Sequence, residues 1–153
     1  MLQFGKIFTV EEVKVVRQLF SNQENLGYFE MELSCSNENE PLEEEQAWIM
    51  YYFSNLKLIN ANRVFANQYG TKIDKLIGLS PGDFFDKNNE QPFEIFGKLF
   101  RKQTASQVSN EVKLDGSEVR IKGDYYLIGD HFNKVIGLFG LQTDVTELEI
   151  SEK

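Results

Sequence analysis

Cysteine, histidine and tryptophan each occur only once among the 153 residues of the chain. Cys35 has no partner for an internal disulfide bond, and this favours a reducing, cytoplasmic compartment. With His131 as the single histidine, the sequence has no spacing of ligands that is typical of a metal site. We therefore expect no disulfide and no metal, and a chain of this length can be stabilised by its hydrophobic core alone.

Long apolar runs and an excess of positive charge are also absent from the sequence. No segment approaches the roughly 20 apolar residues of a membrane span, and the first residues lack the apolar stretch of a secretory signal. Sixteen basic residues against 24 acidic ones give a formal net charge of −8. Such a surface repels nucleic-acid backbones and anionic lipids, so the sequence predicts no nucleic-acid partner and no membrane segment.

Aromatic rings are what the sequence has in abundance, with 13 Phe and six Tyr. Hydrophobic residues make up 41% of the chain and charged residues 26%, a balance typical of one globular domain. A core built from so many rings favours a fold in which large side chains pack around a concave space.

A capping box predicts the first helix. The hydroxyl of Thr9 can accept a hydrogen bond from the amide of Glu12, whose carboxylate reaches back. Apolar residues then recur at helical spacing, namely Val13, Val16, Leu19 and Phe20. We predict an amphipathic helix over residues 9–21.

Two segments compete for the first strand of a sheet. Residues 28–33 alternate apolar side chains with glutamates, whereas residues 47–53 form a continuous apolar and aromatic run. The second segment would form a hairpin with a strand over residues 56–60, through a turn at Ser54 and Asn55. The polar, acidic residues 36–46 between the two candidates are predicted to form a solvated loop or a frayed helical turn.

The rest of the chain reads as helices followed by strands. Helical patterns are predicted over residues 62–69, 72–76 and 90–102, and strands over residues 108–114, 119–128 and 134–143. Tight turns make the last three strands antiparallel. The order predicts an α+β fold, a five-stranded antiparallel sheet with helices on one face, plus the N-terminal amphipathic helix. A cup would lie between the sheet and the helices.

Spaced motifs within this order resemble the PAS domain family. Asn62, Gly70 and Gly78 stand eight residues apart in NRVFANQYGTKIDKLIG, which is similar to the family's Asn at a helix start and glycines at two helix ends. Downstream, KLDGSEVRIK resembles the family's hairpin, and VIGLFGLQTDVTELE resembles its last strand and terminal motif. The chain is identified as a member of the family over about residues 47–149.

The resemblance implies domain boundaries. Because the family's first hairpin ends just before the aligned Asn62, it favours residues 47–53 over residues 28–33 as the first strand. It implies a PAS domain over residues 47–148, an N-terminal extension over residues 1–46 with a possible extra strand, and the start of a C-terminal linker helix over residues 149–153.

The cofactor-binding branches of the family each require a residue that this sequence lacks. Residues 140–146 resemble the last strand of the flavin-binding LOV branch, but its reactive cysteine, three residues after Gly78, is replaced by Pro81. A haem branch needs an axial ligand, and His131 is expected in an exposed turn. The chromophore branch of photoactive yellow protein needs a cysteine in the helical segment, which Cys35 precedes. Flavin and haem are not expected, and the cofactor is unknown.

The cup is then filled either by side chains or by a small ligand. Candidate pocket residues are Tyr51, Phe65, Tyr69, Phe84, Phe93, Phe100, Tyr125, Leu138 and Gln142. An aromatic pattern that faces a sheet is core more often than a ligand site, and pockets are few in any protein.

A signal junction is implied by the resemblance at Asn62, Asp144 and Thr146, where helix and sheet meet. The residue types alone predict helix capping and sheet-end hydrogen bonds at these positions, and the two interpretations are compatible.

The resemblance implies a non-enzymatic sensory or regulatory module. It would sense a small ligand or mediate dimerisation, with a histidine kinase or diguanylate cyclase as the output domain. Because the chain ends where the family runs into a linker, we expect a piece of a longer protein, with a stand-alone domain as the alternative. A homodimer is expected through Val13, Val16 and Phe20 of the first helix.

Two alternatives remain open. A ligand-free adaptor for protein–protein interaction would have the same fold with a filled core. A small α+β enzyme would depend on Asp and Glu chemistry alone, and no catalytic pair stands out.

Overall fold

The computed structural model describes residues 6–34 and 43–147. Its elements are β1 (Phe8–Thr9), α1 (Val10–Phe20), β2 (Gly27–Leu33), α2 (Glu45–Asn55), β3 (Leu56–Ala61), α3 (Arg63–Gln68), α4 (Ile73–Leu76), a 3-10 helix (Pro81–Phe84), α5 (Gln91–Lys102), β4 (Thr104–Val112), β5 (Glu118–Gly129) and β6 (Val135–Asp144). The linker helix predicted over residues 149–153 lies outside the described residues. No helix within these ranges combines the length and the apolar character that crossing a membrane requires.

Five strands form an antiparallel sheet in the order β4-β5-β6-β2-β3. The two-residue strand β1 adds a sixth, parallel to the end of β5. Helices α2 to α5 contribute buried residues to one core cluster on the inner face of the sheet. The α+β class and the five-stranded antiparallel sheet are confirmed, with β1 as an addition.

The strand predicted over residues 47–53 is wrong, because these residues lie in helix α2. Glu44 caps this helix by accepting hydrogen bonds from the amides of Gln46 and Ala47, at 3.2 and 2.7 Å. A continuous apolar run has no period that separates a buried strand from a buried helix. The predicted hairpin through Ser54 and Asn55 fails with it, since both residues end α2.

Strand β2 occupies the position next to β3 in the sheet that was predicted for residues 47–53. It pairs with β3 on one side and with β6 on the other, so its backbone groups are used on both edges. The domain boundary that we placed after residue 46 stays a prediction, and β2, on its amino-terminal side, belongs to the same sheet.

Side chains and backbone groups of neighbouring segments bond to the outer edges of both edge strands. On β3, the amide of Leu58 donates to the carbonyl of Leu79 at 2.8 Å, and its carbonyl accepts from the amide of Gly78 at 2.8 Å. On β4, the amide of Asn110 donates to Gln91 and its carbonyl accepts from Asn89, both at 2.7 Å. The middle of each edge is therefore occupied from within the chain.

Helix α1 packs on the outer face of the sheet, opposite to the other helices. Val13 is buried there at 2% exposure, in a cluster with Tyr28, Ile128 and Phe139. The capping box at Thr9 and Glu12 is confirmed. The sequence predicted this helix, and the structure shows that the sheet is what its apolar face covers.

An ion pair attaches α1 to the sheet. The guanidinium of Arg17 donates to both oxygens of the Glu30 carboxylate, at 2.6 and 2.8 Å, and the hydroxyl of Tyr28 donates to the same carboxylate at 2.5 Å. Glu30 is only 2% exposed, so its charge depends on these two partners.

Replacing Arg17 by Met is expected to destabilise the protein by about 2 kcal/mol, because a buried carboxylate loses its charged partner. Urea denaturation measures this change, and hydrogen exchange should show faster exchange in α1. The matched control is Lys14→Met, an exposed position on the same helix, which is expected to change little. In the double variant Arg17→Met/Glu30→Met, much of the loss should be recovered. Equal losses of stability in Arg17→Met and Lys14→Met would contradict the role given to the Arg17–Glu30 pair.

Candidate functional site

A cavity of about 50 Å³ lies between the inner face of the sheet and the helices. It is lined by Phe29, Met31, Phe65, Tyr69, Pro81, Phe84, Phe85, Pro92, Ile95, Phe96, Glu111, Tyr125, Leu138 and Gln142. Since about 10–15 Å³ of such space accommodates one water molecule, the cavity has room for about three to five water-sized groups. Most of its wall is aromatic or aliphatic, and its polar groups are concentrated in Tyr69, Glu111, Tyr125 and Gln142.

The carboxylate of Glu111 is the charged group of this site. It is buried at 3% exposure. One oxygen accepts a hydrogen bond from the hydroxyl of Tyr69 at 2.5 Å, and the other accepts from the hydroxyl of Ser109 at 2.9 Å. Both donors are neutral, so the carboxylate is hydrogen-bonded without being paired with a cation.

Gln142 extends the network across the cavity. Its side-chain amide donates to the hydroxyl of Tyr69 at 3.0 Å, and its side-chain oxygen accepts from the hydroxyl of Tyr125 at 3.0 Å. Gln68 donates to the backbone carbonyl of Gln142 at 2.9 Å. Helix α3 and strands β4, β5 and β6 are thus joined by one buried polar network.

Burial determines the protonation of this network. Burial raises the pKa of Glu111 to about 7, although the hydrogen bonds from Tyr69 and Ser109 act in the opposite direction. Burial also raises the pKa values of Tyr69 and Tyr125 well above their ordinary range, so both hydroxyls stay neutral. Glu111 is therefore the member of the network that titrates near neutral pH.

The local sequence explains how these groups meet. On β4, Ser109 and Glu111 are two residues apart and therefore point to the same face of the strand. On β5, Gly123 leaves the space in which the ring of Tyr125 lies, because a Cβ at Gly123 would overlap that ring and its hydroxyl. A larger residue at this position would move the hydroxyl that bonds Gln142.

Most of the candidate pocket residues lie together. The cavity is lined by Phe65, Tyr69, Phe84, Tyr125, Leu138 and Gln142. The other three do not line it and are corrected here. The ring centroid of Phe93 lies 4.9 Å from that of Phe53, Phe100 lies 5.4 Å from Trp48, and Tyr51 lies 5.1 Å from Tyr52. They pack around α2, whose residues 47–53 were predicted to form a strand of the sheet.

Sequence reasoning missed Glu111, Ser109 and Gln68. In strand β4, Val108 and Val112 share one face with Asn110, whereas Ser109 and Glu111 lie on the other, more polar face, which favours an outward-facing glutamate. The structure has the opposite arrangement, so the polarity of the strand contained no signal for a buried acid.

At the expected junction, Asn62 makes hydrogen bonds with all of its side-chain groups. Its oxygen accepts from the amides of Phe65 and Tyr28, both at 3.0 Å. Its amide donates to the carbonyls of Phe20 and Leu26, both at 2.9 Å. The predicted cap of α3 is confirmed, and the same side chain also bonds to β2 and to the end of α1.

The other end of the junction is tied to β5. Asp144 accepts from the amide and the hydroxyl of Thr146, at 2.9 and 2.6 Å. The hydroxyl oxygen of Thr146 in turn accepts from the amide of Arg120 at 2.9 Å. Asp144 is two residues beyond Gln142 on β6, so this turn directly follows the cavity.

The residues expected on a dimer surface require a correction. Val13, Val16 and Phe20 pack against the sheet of their own chain, since the apolar face of α1 covers that sheet. The apolar side chains that α1 leaves exposed are Val10, at 39%, Val15, at 58%, and Leu19, at 63%. The dimer itself stays a prediction.

The geometry of the site bears on metal and flavin binding. Within residues 6–34 and 43–147, no group of three or more His, Cys, Asp and Glu side chains is placed to hold a metal ion. The cavity is far smaller than the roughly 300 Å³ or more of sites for drug-sized ligands, and Pro81 is part of its wall. These residues do not fit a flavin, and the identity of any cofactor stays unknown.

Comparison with known families and structures gives consistent matches. A family model described as a PAS domain matches residues 46–147. The fold is similar to that of the PAS domain of a protein from Colwellia psychrerythraea, with a TM-score of 0.65 at 14% identity, over 88% of this chain and 98% of that one. Comparison with curated proteins gives no match.

Two further solved structures have a similar fold. A LOV protein from Rhodobacter sphaeroides gives a TM-score of 0.61 at 12% identity, over 88% of this chain and 68% of that one. A blue-light activated histidine kinase from Erythrobacter litoralis gives 0.57 at 14% identity, over 86% of this chain and 36% of that one. At these identities the similarity shows the fold alone.

Proposed function

The chain belongs to the PAS domain family, and we propose that it is a sensory domain whose inner cavity binds a small ligand. PAS domains are generally sensory rather than enzymatic. The observation that carries the proposal is the apolar cavity with one polar end, formed by Tyr69, Glu111 and Gln142. An apolar wall with a few convergent polar groups is what ligand sites in proteins have in common.

The position of the cavity supports a route to an output domain. Gln142 lies in the cavity wall, and β6 continues for two residues to Asp144, where the terminal turn begins. A second connection starts beside Glu111, since Asn110 accepts a hydrogen bond from the guanidinium of Arg120 at 2.7 Å, and the amide of Arg120 bonds Thr146. A change in the cavity would therefore reach residues 144–146 through one or two contacts.

The finer assignments rest on the family. We propose a cytoplasmic homodimer that passes its signal to a histidine kinase or a diguanylate cyclase and has no catalytic site of its own. One structural neighbour is part of a histidine kinase, and this favours that output. Exposed Val10, Val15 and Leu19 are the apolar side chains of α1 that remain for a partner.

The experiment is an NMR titration of the ¹⁵N-labelled chain with a library of small fragments. We expect fragments that shift amides in the cavity wall to shift the amides of Val145 and Thr146 as well. Leu138→Phe fills the cavity and should abolish both responses, whereas Leu114→Phe, at an exposed position, should leave them unchanged.

The small size of the cavity favours a second candidate, a ligand-free adaptor whose core is filled by its own rings. The same titration separates the two functions. If no fragment shifts the cavity amides, the adaptor is favoured. If shifts occur there but do not extend to residues 144–146, the cavity binds ligands and the proposed signal route is wrong.

A further inference from the structure

Among the residues that the structure describes, Glu111 differs from the other buried acid in having no cationic partner. Glu30 is held by the guanidinium of Arg17, at 2.6 and 2.8 Å. Glu111 is equally buried but accepts hydrogen bonds only from two neutral hydroxyls. An ionised carboxylate in an apolar interior is costly unless a positive charge accompanies it.

The groups around Glu111 supply no such charge. On the inner side, Tyr69 at the end of α3, Tyr125 of β5 and Gln142 of β6 are neutral. The part of α5 that lines the cavity is apolar. Among the described lining residues there is no Lys, Arg or His.

The basic residues of the adjoining strands are directed elsewhere. Arg120 donates to Asn110 at 2.7 Å, and the stem of Lys113 lies beside Gly70. Neither lines the cavity. The positive charge that would match Glu111 is therefore missing from the cavity wall.

An acidic cleft on the outside of the protein includes the same residue in its wall. This cleft, of about 300 Å³, is lined by Asp86, Asn88, Asn89, Asn110, Glu111, Val112, Gly116 and Glu118. Glu111 thus borders both the outer cleft and the inner cavity. No basic residue lines the cleft either, and clefts lined by one sign of charge concentrate ions of the opposite sign.

We propose that the cavity binds a small primary amine, whose ammonium group pairs with the carboxylate of Glu111 and whose short hydrocarbon part contacts the aromatic wall. This inference rests on the proposed ligand-binding function and specifies the chemical class of the ligand. The available space admits about three to five non-hydrogen atoms. Aromatic rings favour the neighbourhood of a cation, which adds to the fit.

Binding releases a proton wherever Glu111 is protonated in the free protein. Below neutral pH the carboxylic acid and the ammonium ion give a carboxylate–ammonium pair and one proton in solution. The affinity for the amine therefore rises about tenfold for each pH unit until Glu111 is ionised, and is then constant until the amine itself deprotonates.

Isobutylamine and isobutanol are matched probes, because they differ in the cationic group and share the hydrocarbon part. Both are titrated by NMR at pH 8 against the wild-type chain, Glu111→Gln and Glu118→Gln. We expect Glu111→Gln to weaken isobutylamine binding at least about tenfold and to leave isobutanol within about twofold, since only the amine loses a charged partner. The control Glu118→Gln removes an acid from the outer cleft only, and its effect should be much smaller.

Calorimetry of the wild-type chain is a second measurement that does not depend on any variant. In buffers of different ionisation enthalpy, isobutylamine binding should release nearly one proton at pH 6 and almost none at pH 8.5. Equal affinity for the two probes, or amine binding that Glu111→Gln leaves unchanged, would overturn the amine assignment while the ligand-binding function stands. Failure of the wild-type chain to bind either probe would overturn the amine assignment, and the ligand-binding function falls with it if the fragment titration is negative as well.

Discussion

The protein is expected to lose roughly 2.5 kcal/mol of stability when the pH rises from 5 to 8, because Glu111 is buried without a cation. Its pKa in the folded state is raised to about 7 by burial, from 4.5 in an unfolded chain. Between these values the folded state holds a proton that the unfolded state has released, so unfolding becomes more favourable as the pH rises. Above pH 7 both states are ionised and the stability is constant again.

Urea denaturation at several pH values measures this loss, and Glu111→Gln is the matched variant. A neutral amide of the same shape should be about as stable as the wild type at pH 5 and up to about 3 kcal/mol more stable at pH 8. Glu12, Asp115 and Asp130 do not interfere, since hydrogen bonds lower their pKa values and they titrate below this range. A wild-type stability that is flat from pH 5 to 8 would show that Glu111 is ionised throughout.

Asn62→Ala is expected to destabilise the protein by about 3–5 kcal/mol, a large part of the 5–15 kcal/mol typical of a whole domain. The substitution removes the cap of α3. It also leaves the buried amide of Tyr28 and the carbonyls of Phe20 and Leu26 without the bonds that Asn62 makes. Unsatisfied buried groups account for most of the expected loss.

Thr9→Ala is the matched control for Asn62→Ala. Thr9 also caps a helix, accepting from the amide of Glu12 at 3.1 Å, but it is exposed and its side-chain bond stays within the cap. Its loss should cost about 1 kcal/mol. Chemical denaturation gives the loss in free energy of unfolding for both variants. The comparison separates the loss of a helix cap from the loss of a side chain that connects three elements. Similar losses would mean that Asn62 acts as a helix cap and nothing more.

Local patterns were sufficient to predict much of the fold. Capping residues such as Thr9 and Asn62 act within three residues of their own position, and the glycines at 70 and 78 do adopt positive φ, at 72° and 92°. Strands β5 and β6 follow tight turns. Caps and tight turns involve residues that are close in sequence, so they can be predicted without knowledge of the tertiary structure.

The errors occurred where distant residues decide the structure. Residues 47–53 are apolar enough for either a strand or a helix, and packing on α5 selects the helix. Helix α1 has an apolar face, but its sequence cannot say whether a sheet of the same chain or a second copy covers that face. The buried Glu111 contradicts the polarity of its own strand, and its partner Tyr69 lies 42 residues earlier.

The central backbone groups of both edge strands are already hydrogen-bonded, those of β3 to residues 78–79 and those of β4 to Asn89 and Gln91. An incoming extended peptide would find those backbone groups taken, so growth of the sheet from molecule to molecule is blocked at these points. These contacts disfavour self-association through the centres of β3 and β4 and favour contacts between side-chain surfaces.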